Sequence, residues 1–369
     1  MQDIDKIFDN KDKEILESTG IELGKETRVG TFIQSDHSVV SCNVKQEGIE
    51  ILPTKEALEK YSWLKDYLFK SFGNNVDDFL KDAEKKVSNG YFIYAKKGAR
   101  TKFPVQACLY ISNDNVEQYV HNIIFADEGA ELNIISGCAT SHKVSSALHV
   151  GISEFFVKKD AHISFTMIHK WGVNVTVTPK SAALIEDNGV FISNYISFDR
   201  VKFLKMYPTA YLNGKNSIGR FNSIVFAPKD SHIDIGSRCV LNGIGAKAEL
   251  VSRTVSAGGD IIARGHLVGN AKDIKAHLEC NGLILKDKGL IHAIPELEAH
   301  LNDVDMSHEA AVGKIAEEEI EYLMARGLSE EEATSAIVRG FLNVKIEGLP
   351  EKLQKQIENS LNEISDKFF

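Results

Sequence analysis

The feature that most constrains the fold is a short pattern that recurs through the middle of the chain, from about Tyr91 to Pro295. A polar residue and a small residue precede a run in which apolar and polar side chains alternate. Alternation with a period of two is typical of β-strands, and β-branched and aromatic residues are common in these runs. The first apolar positions that the pattern predicts to face inward are Leu132, Ile163, Phe191, Ile233, Leu250, Ile274 and Leu290.

Many short strands without intervening helices leave two architectures open, a β-sandwich and a β-solenoid. The spacing between these inward positions is irregular, so the pattern is not a strict repeat. A solenoid explains the recurring turns better, because glycine and alanine permit close approach at its tight corners. We therefore predict a mainly β chain with a solenoid core over residues 100–295.

Helical patterns flank this core and predict a mostly helical N-terminal domain over residues 1–99. Short extended segments precede Thr54, and a helix follows the turn-like GNN segment at about 76–87. The stretch that begins at Thr54 places four apolar side chains on one helical face, namely Leu58, Tyr61, Leu64 and Leu68.

Residues 296–369 are predicted to form a C-terminal helical domain. A helix over 314–326 ends before Gly327, and a second helix begins at Ser329, whose capping box is completed by Glu332. The unit is either a cap on the solenoid or a docking surface for a partner protein. The second helix is predicted to bury Ala333, Ile337, Val338 and Phe341. A last helix is predicted after Pro350, with apolar residues at helical spacing, namely Leu353, Ile357, Leu361 and Ile364.

Composition excludes several classes of protein. No apolar run is long enough for a transmembrane helix, and the charged start of the chain argues against a secretory signal peptide. Five scattered cysteines without a C-x-x-C pair argue against a disulfide framework and a zinc ribbon, so we expect a reducing cytoplasm. The net charge of −9 gives no general attraction to nucleic acid or to an anionic membrane.

The candidate functional residues are Cys280, His308 and Glu309. Thiolate, imidazole and carboxylate groups are the side chains that hold transition metals and iron–sulfur clusters. Cys280 and Glu309 are too far apart in the sequence for a local turn to join them, so only the tertiary fold can unite them. Each residue also has a structural interpretation: Cys280 as an apolar core filler, His308 as a structural histidine, and Glu309 as an exposed carboxylate before a helix. On an extended strand, His308 and Glu309 would point to opposite faces.

Four segments of the sequence resemble one known family, the SufB/SufD iron–sulfur cluster assembly scaffolds. They are ISGCATSHKVSSALHVGI from Ile135, YPTAYLNGKNSIGRFNSIVFA from Tyr207, SRTVSAGGDIIARGHLVGNAKDIKAHLECNGLIL from Ser252 and SHEAAVGKIAEEEIEYLMARGLSEEEATSAIVRGF from Ser307. The resemblance spans about residues 131–343. It implies a right-handed parallel β-helix core flanked by N- and C-terminal helical domains.

The resemblance also implies a function, that of a non-catalytic scaffold. Such proteins dimerise through the β-helix, bind a SufC-like ABC ATPase through the C-terminal helices, and build a transient iron–sulfur cluster for apoprotein acceptors. Cys280 and Glu309 match residues implicated in holding that cluster, and His308 precedes the glutamate. Glutamate after this histidine is typical of SufB-type members, whereas SufD-type members typically have glycine there.

Two departures from the family pattern bear on the mechanism. The stretch VTPKSAALIEDNG from Val177 lacks the sulfur-accepting cysteine that the family often carries there, and Asn281 replaces the usual aspartate. We expect a homodimer, or else a heterodimer with a paralogue. Two alternative functions stay open, a SufD-like structural subunit and a carbohydrate-active β-solenoid enzyme. No G-x-x-x-x-G-K-[ST] loop is present, so we expect ATP hydrolysis to come from a separate protein.

Overall fold

The computed structural model describes residues 7–23, 28–75, 77–286, 288–342 and 354–355. They form a β-solenoid of about eight turns with helices at both ends, which confirms the predicted fold class. The strands are β1 (Gly30–Ser35), β2 (Ser38–Val44), β3 (Ile49–Pro53), β4 (Tyr91–Ala95), β5 (Val105–Ile111), β6 (Val116–Ala126), β7 (Glu131–Thr140), β8 (Ala147–Val157), β9 (His162–Lys170), β10 (Val175–Val177), β11 (Lys180–Ile185), β12 (Val190–Ser197), β13 (Phe203–Met206), β14 (Thr209–Leu212), β15 (Ile218–Pro228), β16 (His232–Leu241), β17 (Lys247–Ala257), β18 (Asp260–Gly269), β19 (Ile274–Ile284), β20 (Leu290–Ala299) and β21 (Val304–Gly313).

The strands stack into two sheets. The first runs in the order β2-β1-β5-β7-β9-β12-β15-β17-β19-β21, and the second contains the remaining strands and ends at β20. Neighbours within the solenoid are parallel: Glu131 pairs with His162, and Val190 pairs with Ile218. One coil of the solenoid is therefore the stretch of chain that leads from a residue to its partner on the next strand of the same sheet. The recurring pattern precedes strands of both sheets. Its spacing in the sequence is therefore irregular, although the coils themselves repeat.

The recurring pattern has a common backbone conformation. Each of its seven occurrences contains or directly follows a residue with positive φ, a conformation that Gly, Asn and Asp adopt most readily. Because these residues set the corners, the same short motif recurs along the solenoid. The seven residues are Gly129, Asp160, Asn188, Asp230, Gly245, Asp273 and Gly289.

The core lies between the two sheets. Of the seven apolar positions predicted to face inward, six are buried in it, and the prediction for Leu290 is wrong. Leu290 is 53% exposed, whereas its neighbour Ile291 is buried. A strand that is offset by one residue exchanges its two faces, and the pattern before β20 does not show which residue begins the alternation.

The N-terminal zone contains more sheet than the sequence predicts. Strand β1 pairs antiparallel with β2 and parallel with β5, and β3 pairs antiparallel with β4, so these strands form the first layer of the solenoid. Two helices of this zone are α1 (Asn10–Ser18) and α2 (Thr54–Lys60). The predicted continuous helix from Thr54 ends early because Tyr61 has an extended backbone, and two 3-10 segments, Ser62–Tyr67 and Lys70–Asn75, follow. Helix α3 covers Asp78–Lys86.

The C-terminal zone begins with strands rather than helices. Strands β20 and β21 complete the last coil up to Gly313, and only then do α4 (Glu317–Met324) and α5 (Glu330–Leu342) follow. The helical prediction is wrong for residues 296–313, which form strands. Among the described residues no further coil covers the last one, and its strands lack a clear apolar alternation.

The predicted helix boundaries at the turn between α4 and α5 are confirmed. Gly327 has a φ of 100°, and Ser329 and Glu332 exchange the two hydrogen bonds of a capping box, at 2.7 and 3.2 Å. On α5, Ala333 and Val338 are buried as predicted. The predicted helix after Pro350 falls largely outside the described residues. No helix in the described ranges is both long and apolar enough to cross a membrane.

Candidate functional site

The fold places the segments that carry Cys280 and Glu309 side by side. Cys280 lies on β19 and Glu309 on β21, which are adjacent parallel strands of the first sheet. Glu279 pairs with Glu309, and Cys280 pairs with Ala310. The distance in the sequence between Cys280 and Glu309 therefore corresponds to one coil of the solenoid.

The side chains of the three candidate residues lie on two faces of this sheet. Cys280 is 3% exposed and points into the core, as does Leu278. His308 pairs with Leu278 and therefore shares this inward face. Glu309 pairs with Glu279 and points outward. A single chain thus directs Cys280 and His308 to the inside and Glu309 to the outside.

The environment of Cys280 keeps its thiol protonated at neutral pH. Burial, reinforced by the charge of Glu279, raises the pKa of Cys280 to about 11. A metal ion must therefore displace a proton in order to bind its sulfur. Along the solenoid axis, the positions level with Cys280 carry small or polar side chains that face inward, namely Ser252, Ser223 and Tyr195.

On the outer face, Glu279 connects the strand of Cys280 to the C-terminal helices. Asn281 donates a hydrogen bond of 2.6 Å to Glu279, and Arg253 lies 3.7 Å from the same carboxylate. Arg253 also donates a 3.0 Å hydrogen bond to the backbone carbonyl of Phe341 in α5. Asn281, which departs from the usual aspartate, therefore serves here as a hydrogen-bond donor to Glu279.

The three candidate residues lie at the end of the solenoid, where its interior becomes exposed. Strands β20 and β21 are the last strands of the two sheets among the described residues. Leu297 and Val312 face inward by register, yet they are 38% and 41% exposed. His308 and Glu309 are exposed as well. Unpaired strand edges with exposed apolar side chains are typical of surfaces that associate with another chain.

Comparison with known proteins agrees with this architecture. Residues 109–341 match the family model described as SUF system FeS cluster assembly, SufBD core domain. The chain belongs to the SufBD family. An iron–sulfur cluster assembly SufBD family protein of Archaeoglobus fulgidus is 52% identical over 95% of this chain and 94% of the relative. Relatives of the same description from Methanothermobacter thermautotrophicus and Pyrococcus horikoshii are 49% and 31% identical, over 95% and 92% of this chain and 87% and 77% of the relatives.

This SufBD family protein also contains a buried polar cluster that the sequence interpretation missed. His149 and His169 are buried next to Trp171, with ring centroids 4.8 and 5.2 Å from the indole. Burial lowers the pKa of His149 to about 3 and that of His169 well below its usual value, so both imidazoles are neutral. Cys138 is buried near them. The signal was present in the segments LHV and HKW, but neither segment shows that its histidine faces inward.

A second group of side chains that can bind metals, Asp9, Asp12 and His142, lies where α1 meets the solenoid. Their ligand atoms are all within 4.8 Å of one another. Asp12 accepts hydrogen bonds from Tyr110 and Ser141, both at 2.7 Å, and the ammonium of Lys143 lies 2.7 Å from Asp9. The carboxylates are thus already engaged by protein donors, and the group serves to hold α1 against the solenoid.

Proposed function

We propose that this SufBD family protein is a SufB-type scaffold, on which an iron–sulfur cluster is assembled where two copies of the chain meet. The observation that carries the proposal is the position of Cys280, His308 and Glu309 on the last two strands of one sheet, at the exposed end of the solenoid. A second copy placed against this end would cover the exposed apolar residues and bring a second set of ligands.

The chemistry of the ligands supports a transient cluster. The thiolate of Cys280 is soft and binds iron through sulfur, whereas the carboxylate of Glu309 is hard and exchanges easily. Because Cys280 and Glu309 face opposite sides of the sheet, each chain offers only part of a site. A site completed by a second chain can be opened when the two chains move apart, which suits a scaffold that must release its product.

The C-terminal helices supply the proposed docking surface for a SufC-like ABC ATPase. Helix α5 packs on the outer face of the first sheet through Val338 and Leu342, while Tyr322 and Met324 on α4 remain exposed. Arg253 joins this helical unit to Glu279, one residue from Cys280. Movement of the helices by a partner would therefore reach the strand that carries the thiol.

A SufD-like structural role is the second candidate. Two observations favour it: the opposite orientation of Cys280 and Glu309, and the lack of cysteine between residues 177 and 189. Size-exclusion chromatography of the chain with its ATPase separates the two candidates. A self-sufficient scaffold forms a complex containing two copies of each protein, whereas a SufD-like subunit needs a paralogue in order to dimerise. The carbohydrate-active alternative is not retained, because the chain belongs to the SufBD family.

Anaerobic reconstitution with ferrous iron and sulfide tests the proposal directly. The unaltered chain should acquire a cluster that is visible as brown colour and as bound iron and sulfide. Cys280→Ser should lose it, and Glu309→Ala should reduce it. Cys42→Ser, a partly exposed cysteine near the other end of the chain, and Glu117→Gln, an exposed carboxylate on β6, serve as matched controls. If Cys280→Ser retains the full content of iron and sulfide, Cys280 is not a ligand.

A further inference from the structure

A cleft of about 390 Å³ opens on the outer face of the second sheet, away from Cys280 and Glu309. Its floor consists of small side chains, Ala182 and Thr209, on the adjacent strands β11 and β14. Phe72 and Leu80 from the N-terminal helical segments form one wall, and Arg238 on β16 belongs to the opposite wall. The volume is in the range that small-molecule ligands occupy in proteins.

The guanidinium of Arg238 is the most informative group in this cleft. Its Nε–H is buried and has no hydrogen-bond acceptor among the described residues. A buried donor without an acceptor is costly, and native proteins rarely leave one unsatisfied. A ligand with an acceptor oxygen would satisfy it.

The carboxylates near Arg238 are already engaged by other cations or lie further along the sheet. Asp234 accepts two hydrogen bonds from Arg264, at 2.6 and 3.2 Å. Glu298 lies 2.9 Å from His266 and 3.4 Å from His300. Glu296 is in register with Arg238 but two strands away, with His266 between them. Within the described residues, no carboxylate forms an ion pair with Arg238.

Further hydrogen-bond donors line the same cleft. Lys180 stands at its rim, where its ammonium is 3.2 Å from Asp77. Burial raises the pKa of Tyr207 to about 12, so its hydroxyl remains a neutral donor at neutral pH. Thr209 is paired in register with Arg238, and its hydroxyl-bearing side chain lines the same cleft. One guanidinium, one ammonium and two hydroxyls make a donor set that suits a group with several acceptor oxygens.

We propose that this cleft binds a small molecule through an oxyanion group, a phosphate or a carboxylate, which Arg238 holds together with Lys180, Tyr207 and Thr209. The phenyl ring of Phe72 and the side chain of Leu80 provide an apolar wall for the organic part of the ligand. The site is separate from the proposed cluster site, so the two can be tested independently.

Isothermal titration calorimetry on the full-length, cluster-free chain tests this proposal with three matched probes. Glycerol 3-phosphate carries a phosphate, glycerate carries a carboxylate, and glycerol carries neither. Binding of either acid without binding of glycerol is expected, and the stronger of the two identifies the preferred oxyanion. If neither acid binds, the proposal is wrong.

Variants locate the binding. Arg238→Gln should weaken binding of the more tightly bound acid by roughly tenfold or more, because one charge-assisted hydrogen-bonding group is lost. Arg200→Gln is the matched control, since Arg200 is an exposed arginine on a different corner that pairs with Asp230 at 3.0 Å. An equal loss in both variants would show a general charge effect and overturn the assignment. If circular dichroism shows that Arg238→Gln does not fold, Arg238→Lys replaces it, because lysine keeps the charge but lacks the paired N–H donors of the guanidinium. Arg238→Lys should show an intermediate loss of affinity. Unchanged affinity would overturn the proposal.

Discussion

The two ends of the solenoid are closed in different ways. At the N-terminal end, the antiparallel pairs β1–β2 and β3–β4 cover the first coil, and Phe32, Ile49 and Ile51 are buried there. At the C-terminal end, the corresponding inward positions of the last coil, Leu297 and Val312, are more than one-third exposed. Sheet edges are normally covered, charged or paired. Among the described residues, the chain itself covers the N-terminal end of the solenoid, whereas the C-terminal end leaves apolar side chains exposed, as the proposed dimer requires.

The aromatic packing outside the sheets strengthens this contrast. Around the first coils, Trp63 and Tyr67 pack against Phe125 and Phe156, with ring centroids 5.0 to 5.2 Å apart. Aromatic pairs of this kind add to the stability given by buried area. Among the described residues no such aromatic cover packs on the last coil, and the outer edges of β20 and β21 are unpaired.

The largest expected effect concerns the exposed end. The double substitution Leu297→Asp and Val312→Asp should convert a dimer into a monomer, because it places two charges in the surface that a second copy would bury. Light scattering coupled to size exclusion measures the mass. Phe103→Asp is the control, since Phe103 is 53% exposed but lies near the first coils. A double variant that stays dimeric would place the interface elsewhere.

The next effect concerns the closed end. Glu154 is fully buried and accepts hydrogen bonds from the backbone of Phe69 and Ser71, from the Ser71 hydroxyl and from His121, at 2.6 to 3.0 Å. Glu154→Ala should lower the free energy of unfolding by about 3 kcal/mol, because several buried donors lose their acceptor. Urea denaturation measures it. Glu117→Ala, at an exposed site, should change it by less than about 0.5 kcal/mol. Equal losses of unfolding free energy in both variants would show that the buried hydrogen bonds of Glu154 do not stabilise the fold.

A smaller effect is expected where the helical unit meets the first sheet. Arg253→Ala removes the hydrogen bond to Phe341 and the contact with Glu279, and should cost about 1–2 kcal/mol. Hydrogen exchange should accelerate in α5 but not in β1–β4. Arg200→Ala should leave exchange in α5 unchanged. If exchange in α5 is as slow in the Arg253 variant as in the unaltered chain, Arg253 does not hold α5 against the sheet.

The smallest effect depends on pH and again concerns the closed end. Burial alone would raise the pKa of Glu50, but hydrogen bonds from Lys60, Lys96 and Tyr61 outweigh it and lower the pKa to about 2. Because its pKa is lower in the folded state, ionised Glu50 stabilises the fold at pH values above its unfolded pKa of about 4.5. This contribution is lost as the pH falls towards 2. The stability difference between the unaltered chain and Glu50→Gln should be about 1 kcal/mol at pH 7.

That difference should shrink steadily below about pH 4.5 if the ion pairs are responsible. Urea midpoints measured for both chains from pH 7 to pH 3 follow it. Glu128→Gln, which removes an exposed carboxylate paired with Lys97 on the neighbouring corner, controls for net charge. A difference between the two chains that does not vary with pH would exclude ionisation of Glu50 as its cause.

Much of the fold could be predicted because the sequence repeats local rules. Alternation identified the strands, and the residues with positive φ at the corners, such as Asp160 and Asn188, explain why the same motif recurs. Ser329 and Glu332 predicted the start of α5, because a capping box is a local interaction. Cys280 and Glu309 were recognised as candidates from their residue types and family context.

The tertiary structure decided what local rules leave open. Alternation defines two faces of a strand but not which face points inward, so the exposure of Leu290 and the opposite orientation of Cys280 and Glu309 depend on the register with the preceding coil. Burial of His149 and His169 likewise depends on distant strands. The sequence by itself determined that the chain coils. Only the stacking of the coils determined that one end is covered and the other exposed, because a strand edge is closed or open according to what packs beside it.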